Sequence, residues 1–346
     1  MDAALLLPLI ERVPSMAAPC RSHVDLWRIG EETAGWARAH GLVVGDPDGS
    51  RVGRGRFERL AARVFPETGT VRVVRFAKWL TWLFSFDDTL DDGPLGRSAT
   101  GIDALYAELL RAVRRGAPRP GAGPLEVTLA ELWAETVPGL SSEWRRRFIG
   151  HMEWHRSACM DEAVNRRTGR TPSIEEYPLL RRRTAGPFVF DLAEAVLGVE
   201  VPEAVASSKP WARLVDGTND LIAWCNDVAS YAQETMRDDP HNYVTVASRG
   251  LGLDPIAAVD WVNDRITERA IEVQAAARAL PAEFTRKGLD LAAQRGVSKV
   301  AVGLLGAPRA HLDWLLECGR YTPVPVPAPR KGPLRIAGRL SQVTRA

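Results

Sequence analysis

Apolar residues recur along this chain at the three-to-four-residue spacing of a helix, most clearly over 71–86, 101–114, 124–133, 144–163 and 254–280. Asp254 followed by Pro255 has the form of an N-cap and a first helical position. Breaks fall at Gly93 and Pro94, across 116–124, across 169–172 and across 250–252. Alternating strand-like runs bounded by turn pairs are scarce, and no internal repeat is visible. With no long linker before residue 322, the pattern predicts one all-α domain over 1–322.

Past Tyr321 the composition changes. Pro323, Pro325, Pro327 and Pro329 are followed by the basic pair Arg330 and Lys331, and the rest to Ala346 has weak periodicity. Such a segment buries too little surface to offset its ordering entropy, so 323–346 is expected to be a disordered tail.

Bulk properties exclude more than they reveal. The 346 residues are 45% hydrophobic, enough for a large core. A formal charge of +2, with no basic stripe interleaved with aromatics, argues against nucleic acid as a partner. The triplet at 145–147 reads as a solvated face. Four scattered cysteines without a CxxC pair make neither a disulfide framework nor a zinc finger, and they suit a reducing cytoplasm. The apolar start at 1–10 carries Asp2 and no basic flank, so it reads as an arm on the core and not a signal peptide. No stretch reaches the ~20 apolar residues of a membrane span.

Chemistry enters with Asp87, Asp88, Asp91 and Asp92, at the end of a stretch rich in tryptophan and phenylalanine. At about 100° per residue, Asp87 and Asp91 point almost the same way, with Asp88 and Asp92 beside them. Four carboxylates in one arc repel unless water or a cation separates them, and hard oxygen donors suit Mg²⁺. A solvated helix end would explain them too, but the mouth of an aromatic helix is an odd place for solubility alone. About 140 residues on, Asn226, Ser230 and Glu234 step by four along one face of an otherwise apolar helix. Amide, hydroxyl and carboxylate oxygens can hold one Mg²⁺ from one side and leave its other positions to phosphate and water.

Together these stretches resemble the aspartate-rich motif and the N-D-x-x-S-x-x-x-E motif of microbial class I terpene synthases. The resemblance covers roughly 20–322 and implies a single-domain helical bundle around a central apolar cavity. It also implies three Mg²⁺ ions and an isoprenyl diphosphate substrate that is ionised and cyclised. The run from Glu176 to Pro187 resembles the segment bearing the diphosphate-sensing arginine. Arg181 and Arg182 are both candidates, and a linker three residues on favours Arg181 with Thr184. Ala185 and Gly186 then mark the helix break facing the substrate. Arg320 and Tyr321 resemble the C-terminal pair that contacts diphosphate, and Phe84, Phe188 and Trp314 are candidate walls for a cationic intermediate. Arg63 to Pro66 and Asp239 to Val244 match supporting positions. Where many relatives carry lysine before the last glutamate of the second motif, this chain has Gln233.

Other readings remain. Chain-elongating isoprenyl diphosphate synthases share the architecture but carry a second aspartate-rich motif where this chain has Asn226. A silent isoprenyl-diphosphate-binding protein would look the same. His151 and His155 lie four apart but lack the order of a zinc protease. The sequence identifies no general base and decides neither chain length (farnesyl first, geranylgeranyl second) nor whether the chain forms a homodimer.

Overall fold

A computed structural model describes residues 3–91 and 93–321. The tail expected at 323–346 therefore lies outside the described residues, as does Asp92. Among the described residues there is no strand, and twelve helices have eight residues or more. They are α1 (Leu26–Ala39), α2 (Phe57–Val64), α3 (Thr70–Asp91), α4 (Ala99–Arg115), α5 (Pro124–Thr136), α6 (Ser142–Thr168), α7 (Tyr177–Thr184), α8 (Phe188–Leu197), α9 (Lys209–Met236), α10 (Tyr243–Leu251), α11 (Pro255–Arg286) and α12 (Leu291–Glu317).

Their ends follow local chemistry. Ser98, Ser141, Ser208, Asn242 and Asp290 each cap a helix by accepting a backbone N–H. Asp254 takes two, from Ile256 and Ala257, ahead of Pro255, as its sequence signature predicts. Helix α11 outruns the periodic stretch, reaching Arg286.

Helix α3 buries Val73, Phe76, Trp79, Trp82 and Phe86 on several faces, the mark of a helix enclosed by others. It packs against α1, α2, α5 and α8. Its indoles are satisfied in place: Trp79 Nε1 donates to Thr136 Oγ1 and Trp82 Nε1 to the Leu125 carbonyl, both at 2.9 Å. Helix α9 forms the opposite pillar and packs on α7, α10, α11 and α12.

The N-terminal arm does lie on the core, burying Leu6, Leu9, Val13 and Met16. The arginine triplet divides. Arg145 and Arg146 are exposed, whereas Arg147 turns inward to pair with Asp191 and Glu194, correcting its reading as a solvated face. Burial of those two acids requires a cation between them.

Candidate active site

Helix α3 delivers the aspartates. Along one side Thr81, Ser85 and Thr89 each donate a hydroxyl to the carbonyl four residues back, at 2.8, 2.7 and 2.9 Å. Asp87, Asp88 and Asp91 follow, with one carboxylate oxygen from each inside 4.8 Å of the others. Among the described residues no other group of three acidic, histidine or cysteine side chains comes so close.

Arginines crowd the cluster. Arg320 forks onto Asp88 at 3.1 and 2.7 Å, and Arg51 reaches Asp88 at 3.1 Å and Asp91 at 3.6 Å. Arg237 and Arg166 stand 3.5 and 4.0 Å from Asp91. Burial, then the neighbouring Asp87 charge, still lifts the Asp91 carboxyl to about 7. Sequence reasoning found Arg320 by resemblance but missed Arg51, Arg166 and Arg237, which no local spacing singles out.

Helix α9 brings its donors to the same place. Asp87, Asp91, Arg181, Thr184, Asn226 and Glu234 line one polar mouth. Asn226 Nδ2 donates to Tyr321 Oη at 2.6 Å, while its Oδ1 accepts from Arg181 at 3.3 Å. Asn242 holds Glu234 at 2.7 Å, and burial followed by the Asp227 charge raises the Glu234 carboxyl to about 8. Ser230 is buried and turns its hydroxyl back to the Asn226 carbonyl at 2.8 Å. These are hard oxygen donors from two helices. The set fits divalent cations.

The two candidate sensors separate cleanly. Arg181 reaches the mouth and is fixed by Asp227 at 2.8 Å, which also accepts from Tyr177 Oη at 2.7 Å and the Tyr243 N–H at 3.1 Å. Asp227 therefore anchors the arginine from below. Arg182 points the other way, forking onto Asp220 at 2.8 and 2.7 Å and reaching Asp216 at 3.2 Å. Consecutive residues on a helix diverge by about 100°, so only one of the pair can face the mouth.

Just past Arg181 the chain breaks. Gly186 has φ +75°, and a Cβ there would come within 2.9 Å of Leu83. The freed Thr184 carbonyl accepts from His155 Nε2 at 3.0 Å. A carbonyl cannot donate, so Nε2 carries the proton and Nδ1 accepts from Tyr106 Oη. His151 is held by Asp191 at 2.6 Å, so the two histidines form no metal pair.

One helical turn below the mouth lies an apolar cavity. Asp87 and Asp88 stand above Phe84 on α3, and Asn226 above Ile222 on α9. Ala185 lies under Arg181 at the break, and α8 and α12 complete the wall with Val189 and Leu304. Phe84 is a wall residue, and the Arg320 guanidinium covers its ring 4.7 Å from the centroid. Trp314 backs Phe84 at 5.7 Å and donates to the Gly55 carbonyl at 2.5 Å, so it supports the wall from behind. Phe188 is absent from the lining. It turns into the core against Trp82, Phe148 and His155.

Residues 78–271 match the family described as "Terpene synthase family 2, C-terminal metal binding". The chain is 30% identical to (−)-delta-cadinene synthase of Streptomyces clavuligerus, over 84% of this chain and 89% of that one. It is 29% identical to a (+)-T-muurolol synthase of Roseiflexus castenholzii, over 87% and 90%. Its fold superposes on the crystal structure of germacradien-4-ol synthase from Streptomyces citricolor with a TM-score of 0.75. That match has 26% identity and covers 86% of this chain and 96% of the other. No described helix is long and apolar enough to cross a membrane. With two donor-bearing helices meeting over one apolar cavity, the chain belongs to the terpene synthase family and has the class I terpene cyclase fold.

Proposed function

We propose that this class I terpene cyclase takes farnesyl diphosphate, ionises it with Mg²⁺ and closes the resulting carbocation into a cyclic sesquiterpene. The observation that carries the reading is the stacking of a cation-binding mouth on an apolar cavity. Phe84 lies one turn from Asp87 and Asp88, and Ile222 one turn from Asn226. The fifteen-carbon substrate is supported by the Roseiflexus relative, whose name specifies (2E,6E)-farnesyl diphosphate.

Asp87, Asp88 and Asp91 would hold Mg²⁺ from α3, and Asn226, Ser230 and Glu234 from α9, with three ions as the number to be tested. When bound, the metal supplies Lewis-acid neutralisation of the diphosphate leaving group. Arg181 and Arg320 present fixed guanidinium donors to the same group, where charge builds as the allylic C–O bond breaks. Arg320 is 1% exposed, and its Nη atoms are held at the aspartate cluster by Asp88. Phe84 borders the chamber with Arg320 over its ring, and apart from His311 the wall around it is apolar and excludes water. Tyr321, which accepts from Asn226, holds the segment after α12 against the α9 donors.

The test is incubation of pure protein with Mg²⁺ and geranyl, farnesyl or geranylgeranyl diphosphate, followed by mass spectrometry. A cyclic fifteen-carbon product from farnesyl diphosphate is the expected result. A longer diphosphate would mean chain elongation, and unchanged substrate with saturable binding would mean a silent binder. Either overturns the reading.

A further inference from the structure

The cavity beneath the mouth is apolar on every side but one. Among its described lining residues His311 is the single titratable group, carried on α12 one turn before Trp314, whose ring lies 5.3 Å away. It is 3% exposed, and its Nδ1 is buried with no hydrogen-bond partner among the described residues. The other five histidines are engaged: His23 with Thr68, His40 with Trp36, His151 with Asp191, His155 with Thr184 and His241 with Asp239. An unpaired ring nitrogen in a buried wall is costly, and among the described lining residues His311 is the one polar side chain that the chamber's contents can meet.

Burial, reinforced by the Arg181 charge, pushes the ring down to about 3, so His311 is neutral throughout the working range. In either neutral tautomer one ring nitrogen keeps an in-plane lone pair. The leaving diphosphate belongs at the mouth, one turn higher, where Arg181 and Arg320 stand. His311 lies on the wall that the hydrocarbon part of the substrate would occupy.

Resting on the cyclase reading above, we propose that His311 accepts the terminating proton of the cation cascade, which makes the product an alkene. The C–H bond next to the cationic carbon breaks, and its electron pair becomes the new π bond. The proton passes to the free ring nitrogen, giving an imidazolium. No oxidant and no water is consumed. On opening, the imidazolium returns its proton to the departing diphosphate or to solvent. Weak basicity is no obstacle, because a C–H beside a carbocation is a far stronger acid than an imidazolium.

Two measurements on the full chain test this. The first is the product profile and diphosphate release of His311→Leu. Release is expected to stay within about threefold of wild type, while the main alkene's share falls at least about tenfold in favour of alcohols or alkenes from earlier cations. The second is calorimetric binding, with Mg²⁺ and inorganic diphosphate present, of a fifteen-carbon aza analogue whose tertiary ammonium, with one N–H, lies in the hydrocarbon chain away from the diphosphate end, and of its N-methylated quaternary counterpart, which has none. Wild type is expected to prefer the first about tenfold, and His311→Leu to lose that preference. An unchanged product profile, an unchanged preference, or a wild-type product that is chiefly an alcohol overturns the proposal. If His311→Leu lacks the wild-type circular dichroism, His311→Asn, polar but not basic, carries the product test. A wild type that releases no diphosphate defeats the cyclase reading alone, and the ammonium comparison then still decides whether His311 meets the chamber.

Discussion

Arg320 grips Asp88 with both Nη atoms, at 3.1 and 2.7 Å, while the next residue, Tyr321, accepts from Asn226 at 2.6 Å. Two consecutive residues that follow α12 thus touch the two donor helices.

That arrangement makes the pair unequal in effect. Arg320→Gln removes a cation that stands by both Asp88 and Asp87. It should lower kcat/KM by about 10²–10³-fold, the scale of losing one charge-stabilising donor. Tyr321→Phe removes one hydrogen bond and should cost about tenfold. Steady-state diphosphate release measures both, and equal losses would contradict the assignment of charge to Arg320.

Removing donors from either helix should stop turnover without unfolding the chain. Asp87 is 52% exposed and Asn226 borders the mouth, so neither side chain supports the core. Asp87→Ala and Asn226→Ala should each reduce activity more than about 10³-fold with helical circular dichroism intact, and a chelator should do the same reversibly on return of Mg²⁺. Full activity in either variant would remove the metal assignment.

The adjacent arginines should separate chemistry from stability. Arg181→Lys keeps a charge but loses the fork, and should cost about 10²-fold in kcat. Arg182→Gln leaves Asp220, 1% exposed, with Arg269 at 2.9 Å as its remaining cationic partner. It should lower stability by about 1–3 kcal/mol and leave kcat within a few-fold. Thermal unfolding together with kcat distinguishes the two outcomes.

How much of this was legible in the sequence depends on whether a residue's partner is local. Asn226, Ser230 and Glu234 share a face by helical arithmetic, and the aspartates do likewise, so spacing sufficed. Arg51 reaches Asp91 across forty residues of chain. Arg166 and Arg237 meet the same carboxylate from α6 and the end of α9, and nothing in their own neighbourhoods announces it. Phe188 shows the converse failure. Its place just after the helix break is right, but whether an aromatic faces cavity or core depends on its rotation against Trp82 and Phe148. His311 was invisible because a lone histidine on an apolar helix ordinarily has a partner, and only the packed structure reveals that its Nδ1 has none among the described residues.

Buried neutral histidines also set an acid limit on stability. Burial lowers His155 to about 4 and His311 to about 3, against an unfolded value near 6.5. Below pH 6.5 the unfolded chain binds protons at these sites that the folded chain refuses. Their contribution is therefore fully present above about pH 6.5 and drains away as pH falls toward the folded values. Other groups, Asp91 and Glu234 among them, titrate in the same range with the opposite sign, so the wild-type curve alone is ambiguous. The difference between wild type and His311→Asn isolates one ring. In urea titrations the free-energy gap between the two should be flat above about pH 6.5. It should move against the wild type by about 1.4 kcal/mol per pH unit between about pH 6 and 4.5, the slope of one proton. A gap that stays constant over that interval would mean His311 is protonated, or solvated, in the folded protein.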